Sequence, residues 1–183
     1  MDTNLLNNYV LKAIDAYPYE LEETVENLNY ALSYQSNNAY ALYLMARLQA
    51  EQFGDYIMAK QYYAEALASK MDFQKVYPRY IQVLLDNEDF DEAQKLIDFA
   101  LTIKGIDKGS IWCKQGQLHE IKLKHKKAIK ALKTAKQFGF NNDFISYIDT
   151  EISRNKSKIK SNKKTSKSKT KKKKCCNKKK KQK

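Results

Sequence analysis

Gly54-Asp55-Tyr56-Ile57-Met58-Ala59-Lys60-Gln61-Tyr62-Tyr63-Ala64-Glu65-Ala66-Leu67 is the stretch that decides the fold. Ala59 and Ala66 stand seven residues apart with Tyr63 between them, so two small side chains and one large apolar one share a helix face. Small residues on that face let a neighbouring helix approach closely. Gly54 suits a helix end and Asp55 a helix start, which predicts a turn just upstream. The same triplet recurs outward along the chain as Thr24, Leu28 and Ala31, as Ala93, Ile97 and Ala100, and as Ala128, Leu132 and Ala135. Ala31, Ala66, Ala100 and Ala135 are spaced by 35, 34 and 35 residues. Ahead of each triplet come Leu21, Tyr56, Phe90 and His125, three of them bulky and apolar. Self-similarity at this period marks stacked supersecondary units, none of which buries its apolar face alone.

Upstream of each such helix runs a second apolar-periodic segment, and short turns part the two. The turns are Tyr17-Pro18, Phe53-Gly54-Asp55, Asn87-Glu88-Asp89 and Leu123-Lys124. Pro18 suits a first helical position, and Asp89, like Asp55, suits a helix N-cap. The unit is a helix–turn–helix of roughly 34 residues.

Gly54-Asp55-Tyr56, Ala59, Tyr63 and Ala66-Leu67 resemble the second helix of the tetratricopeptide repeat family almost letter for letter. Phe90, Ala93, Ile97 and Ala100-Leu101 repeat that pattern. Trp112 and Gln115-Gly116 are similar to the family's first-helix aromatic and its small residue at the helix crossing. Met45-Ala46 serves there in the second unit, with about one residue more before its turn. The resemblance spans residues 3–142, about three-quarters of the chain. Some features depart from it. No proline closes a unit; Asn37-Asn38, Asp72, Gly105 and Asn141-Asn142 occupy the junctions. The first unit has Asn8 and Leu11-Lys12 where an aromatic and a small pair are usual. The competing reading, a plain helical bundle with accidental periodicity, has to produce four units in register by chance.

The resemblance implies an all-α fold: a right-handed α-solenoid of about four helix–turn–helix repeats over residues 4–38, 39–72, 73–107 and 108–142. Asn141-Asn142-Asp143 can cap one more helix, and Phe144, Ile145, Ile148 and Ile152 give it an apolar stripe. Residues 143–155 are therefore expected as a C-terminal solvating helix that completes a domain over 1–155. In this family the first helices of successive units line a concave groove that holds an extended or helical peptide. The corresponding positions here are Tyr9, Tyr40, Tyr43, Arg47, Lys75, Arg79, Gln82, Lys114 and Gln117. Tyrosine offers large contact area with few torsions to freeze, and arginine can clamp a carboxylate with two parallel bonds. The family's chaperone-tail binders use a lysine and an asparagine one turn apart in the first unit, where this chain has Tyr9 and Ala13. Some of the tyrosines must instead fill the space between helices.

Charge divides the chain sharply. After Glu151 there is no acidic residue, and Arg154 to Lys183 contains one arginine and sixteen lysines. The other 17 basic and 21 acidic residues leave the body near −4, against +13 for the whole chain. Residues 1–103 hold 16 acids and 7 bases, whereas 104–153 hold 5 acids and 10 bases. Residues 156–183 are expected to be a disordered polylysine tail. They offer Ile159 and two cysteines to bury, against an ordering cost of roughly 1–2 kcal/mol per residue. Their lysines also repel within a Debye length of about 8 Å.

Lysine without interleaved aromatics favours diffuse attraction over base reading. Lys171, Lys172, Lys173 and Lys174, with Lys178, Lys179, Lys180 and Lys181, are thus candidate contacts for nucleic acid or an anionic membrane, without sequence specificity. The alternative is a solubilising tail with no dedicated partner. Cys175-Cys176 lies between those two runs, where ammonium groups favour thiolates; acylation or oxidation there competes with two tolerated residues in a low-complexity segment.

Little points to catalysis. His119 and His125 are six apart and lack zinc-ligand spacing, and the five glycines form no phosphate-cradling loop. Glu20, Glu22, Glu23 and Glu26 favour a helix dipole. No cofactor is expected. Three cysteines do not make a disulfide framework, residues 1–8 do not read as a signal peptide, and no run of 18 apolar residues occurs. The expectation is a cytoplasmic, non-enzymatic scaffold that binds a protein or peptide in the groove and attaches electrostatically to polyanions through its tail. Its runner-up is a polyanion-associated protein whose activity resides in the tail, with passive or dimerising repeats.

Overall fold

A computed structural model describes the backbone of residues 7–179 and the side chains of residues 7–161. Among these residues every regular element is helical, and they fall into two compact units, Met1–Asp107 and Lys108–Lys183. Among the described residues no helix is long and apolar enough to cross a membrane.

The first unit stacks three antiparallel helix pairs: α1 (Asn8–Ala16) with α2 (Leu21–Tyr34), α3 (Ala39–Leu48) with α4 (Tyr56–Ser69), and α5 (Val76–Asp86) with α6 (Phe90–Ala100). Asn7 and Asn38 start α1 and α3 by accepting hydrogen bonds from Val10 N and from Tyr40 and Ala41 N. Asp55 caps α4 through Met58 N at 2.9 Å. Asp89 also stands at an N-cap, but its carboxylate is engaged by Lys60 and Asn87 instead.

The repeating columns are the core. Thr24, Ala31, Ala59, Ala66, Ala93 and Ala100 are fully buried, as are Leu28 and Ile97, and Tyr63 is 1% exposed. Val10, Ala13, Ala41 and Met45 pack on Leu28 and Ala31; Ala39, Leu42, Ala46, Phe73 and Val76 pack on the Tyr63 column. Each fully buried side chain of leucine size contributes roughly 1.5–3 kcal/mol relative to exposure. Tyr77 is buried as well and donates its hydroxyl to Met71 O at 2.6 Å, so a share of the tyrosines is structural.

Two turns differ from expectation, for opposite reasons. From Ala13 to Thr24 is 11 residues, from Ala46 to Ala59 is 13, and from Gly116 to Ala128 is 12. The short first connection places Val10 and Ala13 inward, while Leu11 is 46% exposed and Lys12 faces water. Pro18 lies within that turn, after a cis peptide bond, and Glu20 takes the N-cap position of α2. The long second connection keeps its extra residue inside the helix. Gln49–Phe53 forms a π-helical turn, closed by Gly54 and Asp55 N–H groups donating to Gln49 O. Gly54 ends it at φ +68°, a left-handed conformation that glycine adopts without a Cβ penalty.

The second unit is the hairpin of α7 (Lys108–Ile121) and α8 (His125–Gln137), with α9 (Asn142–Lys179) laid against α8. Asn141 caps α9 through Phe144 N at 2.7 Å. Leu132, Ala135, Cys113, Ile148 and Ile152 form the core, with Trp112, Ile129 and Phe144 at its margin. Gly116 lets α7 cross α8 closely; a Cβ there would stand 2.8 Å from Leu132 Cγ and Cδ2.

Buried polar groups add a lock. Glu120 on α7 accepts from Arg154 Nε and Nη2 at 3.0 and 2.7 Å, from Asn155 Nδ2 at 2.8 Å and from Lys158 Nζ at 2.6 Å. Because the Asn155 amide donates to Glu120, its Oδ1 is left to accept from His125 Nδ1, 3.0 Å away. α9 thus contains the expected covering helix 143–155 and continues through the position where that helix was expected to end. The expectation of disorder over 156–183 falls largely on residues whose side chains lie outside the described set.

Candidate functional site

The first helices of the first unit, with the turns after them, enclose a cleft of about 500 Å³. α1 and its turn supply Ile14, Tyr17 and Pro18; α3 supplies Tyr40, Tyr43, Leu44 and Arg47. The π-helical turn adds Glu51 and Gln52, and Lys75 stands at the N-cap of α5. This volume falls within the usual range for small-ligand and side-chain pockets.

The aromatic wall is held from behind. Tyr40 packs on Phe73 with ring centroids 4.5 Å apart, and Tyr43 lies 5.3 Å from Phe73 and 6.2 Å from Tyr63. Phe73 and Tyr63 are buried, so the exposed faces of Tyr40 and Tyr43 sit on a fixed base. Tyr63 itself stacks on Tyr80 at 5.5 Å, and burial pushes its phenol well above the ordinary tyrosine range.

The charged floor centres on Glu51. Arg47 Nε and Nη2 donate to its two oxygens at 3.3 and 3.1 Å, the Tyr17 hydroxyl donates at 2.5 Å, and Arg79 Nη1 donates to Oε1. Partial burial pushes the Glu51 carboxyl up, but the bonds from Arg47 and Tyr17 and the charge of Arg79 outweigh it and hold the group below its usual range. Arg47 also lies over the Tyr17 ring, 4.6 Å from its centroid, and 6.0 Å from that of Tyr43. Two cations, Arg47 and Arg79, therefore meet one carboxylate, and Lys75 lines the same cleft with three tyrosine rings. Residues 1–103 carry 7 basic side chains against 16 acidic ones, so three of the seven are gathered at this spot.

Of the residues singled out from sequence, Tyr40, Tyr43, Arg47 and Lys75 come together here, and Arg79 joins them through Glu51. Tyr9 stands elsewhere, stacked on Tyr30 and Tyr34 of α2 at 5.3 and 5.8 Å. Gln82 bonds Asp86 along α5 at 2.7 Å. Lys114 and Gln117 belong to α7 of the second unit, where Gln117 Nε2 donates to the Tyr147 hydroxyl at 3.3 Å and its buried Oε1 has no partner. Lys171, Lys172, Lys173, Lys174, Lys178, Lys179, Lys180 and Lys181, with Cys175 and Cys176, lie outside the described side chains. Sequence reading missed Tyr17 and Glu51. The one signal for them was the uneven spacing before the second helices, 11 residues from Ala13 and 13 from Ala46, which marks the two connections these residues occupy without placing their side chains.

His119 pairs with Gln115 at 3.2 Å, and His125 with Asn155, so both histidines serve packing within the second unit. Burial and neighbouring lysines hold His119 below its ordinary range. Cys113 is buried, and burial pushes its thiol up, away from the reactive thiolate.

No protein-family model matches the chain, and no curated protein matches its sequence. Among solved structures, MamA 41-end from Desulfovibrio magneticus RS-1 is similar at 16% identity and a TM-score of 0.61, covering 87% of this chain and 97% of that one. A MamA RS-1 double mutant gives 15% identity and the same TM-score, covering 85% and 98%. The stacked hairpins, the buried small-residue columns and this likeness together assign the chain a tetratricopeptide-like all-helical fold.

Proposed function

We propose that this protein is a non-catalytic scaffold that takes an extended protein segment into the cleft of its first unit, preferring a segment with acidic and aromatic side chains. One observation carries the reading: Arg47 and Lys75 line an aromatic-walled cleft, and Arg79 is bonded to Glu51 of that lining, in a stretch that is otherwise acidic. Rings fixed from behind cost little entropy to dock against, and planar guanidinium groups match carboxylates. The test is an array of short peptides that carry aromatic residues with acidic, neutral or basic neighbours, probed with the full chain and with Arg47→Glu. Capture of acidic peptides by the native protein, lost in the variant, is the expected result. Equal capture of all three classes removes the reading.

A second role concerns the lysine-rich segment, carried by sixteen lysines with no acid after Glu151. That composition supports attachment to polyanions, with nucleic acid and anionic membrane as the surfaces it suits. Binding of the full chain to heparin, abolished by truncation after Ser161 while peptide capture survives, separates the two roles.

A further inference from the structure

We infer that Glu51 is a resident competitor in the cleft: its carboxylate occupies the arginine pair that an acidic partner segment must engage, and so sets how tightly and how selectively that segment is held. The inference rests on the proposed reading of the cleft and names the residue that grades it.

The geometry has three parts. Glu51 takes up donors that a ligand carboxylate would use, from Arg47, Arg79 and Tyr17. Its own side chain is 34% exposed, and it sits on a π-helical turn rather than within a packed helix. An incoming carboxylate can therefore replace it like for like, while Glu51 moves into water instead of being stranded without partners. Arg47, by contrast, does not depend on Glu51 for its place, because the Tyr17 and Tyr43 rings flank its guanidinium. Removing the Glu51 charge leaves the arginine aimed into the cleft with its donors open.

The exchange moderates selectivity. A neutral segment offers nothing to replace Glu51 with, and meets the cleft with the ion pairs intact. An acidic segment must displace one carboxylate and then gains the attraction of Lys75 as well. Glu51 thus lowers affinity for acidic segments and leaves neutral ones untouched, which reduces the margin by which the site prefers acidic ones.

The experiment uses the full chain, native and as Glu51→Gln and Glu51→Ala, with two fluorescein-labelled probes. One is an acetylated, amidated peptide alternating glutamate and tyrosine; the other replaces each glutamate by glutamine. Anisotropy titrations are read beside circular dichroism to confirm unchanged helix content. Charged hydrogen bonds screened by partial exposure predict roughly tenfold tighter binding of the acidic probe by both variants, with the neutral probe unchanged. Binding of the acidic probe by the variants but not by the native chain also supports the competitor role. Equal or weaker binding of the acidic probe by the variants overturns it and makes Glu51 a positioning strut. Equal tightening for both probes overturns it too, in favour of simple steric opening. Failure of every chain to bind either probe removes the peptide-cleft reading together with the inference.

Discussion

Glu120 offers a measurement whose size and pH dependence are both fixed by its surroundings. Its side chain is 8% exposed and accepts hydrogen bonds from Arg154, Asn155 and Lys158. Burial pushes the carboxyl up, but the bonds from Arg154, Lys158 and Asn155 outweigh it and hold the group at about 2, against an ordinary 4.5. A tenfold change in proton affinity is worth about 1.4 kcal/mol, so the ceiling is roughly 3 kcal/mol. Arg154 and Lys158 are each 48% exposed, so water screens their attraction, and about 1–2 kcal/mol is the expected share. Because folding favours the ionised form, that contribution is present above pH 4.5 and is lost as pH falls toward about 2. Glu120→Gln keeps the volume and removes the charge. Trp112 is the single tryptophan and packs at the margin of the second unit's core, so its fluorescence tracks that unit through urea unfolding. With an m-value of about 1–3 kcal/mol per molar, the variant's midpoint should fall by roughly 0.5–1 M at pH 7. The gap should close steadily on acidification below pH 4.5. Identical midpoints at pH 7, or a gap that does not change with pH, would refute the argument that this carboxylate holds α9 in place.

Other outcomes rest on single contacts. Gly116→Ala gains helix propensity but drives a methyl group to 2.8 Å from Leu132 Cγ and Cδ2; since Leu132 is 1% exposed, overpacking should win, with a net loss of about 1 kcal/mol by Trp112-detected unfolding. Gly54→Ala meets nothing within 4 Å, so its cost is the left-handed backbone alone, about 1 kcal/mol by thermal unfolding, and Gly54→Asn should recover part of it. Leu28→Ala empties a fully buried position between α1 and α3 and should cost about 2–5 kcal/mol, read as a lowered thermal midpoint.

The fold was legible because its core is written in columns. Ala59, Tyr63 and Ala66 and their counterparts are buried for the same steric reason in every unit, so period alone found them. The cleft was legible only where a side chain's direction is set by its place in a regular helix, as for Tyr40, Tyr43 and Arg47. Tyr9 is the same residue type on a first helix, yet two tyrosines of α2 claim its ring, a tertiary choice that a first-helix position does not encode. Glu51 escaped for a different reason. Thirteen residues between Ala46 and Ala59 announce one extra residue, but a longer turn and a widened helix satisfy the backbone about equally well, and only the packed structure selects between them.

That widened turn has a genetic corollary. Each residue added to a helix rotates the residues beyond it by about 100° while advancing them about 1.5 Å. One codon gained or lost between Leu48 and Glu51 therefore re-aims the carboxylate now at position 51, at the expense of the packing of Ala50 on the core beside it. A repeat array built this way can revise the charge lining its cleft through an insertion or deletion alone, while the alanine columns of its second helices stay where they are.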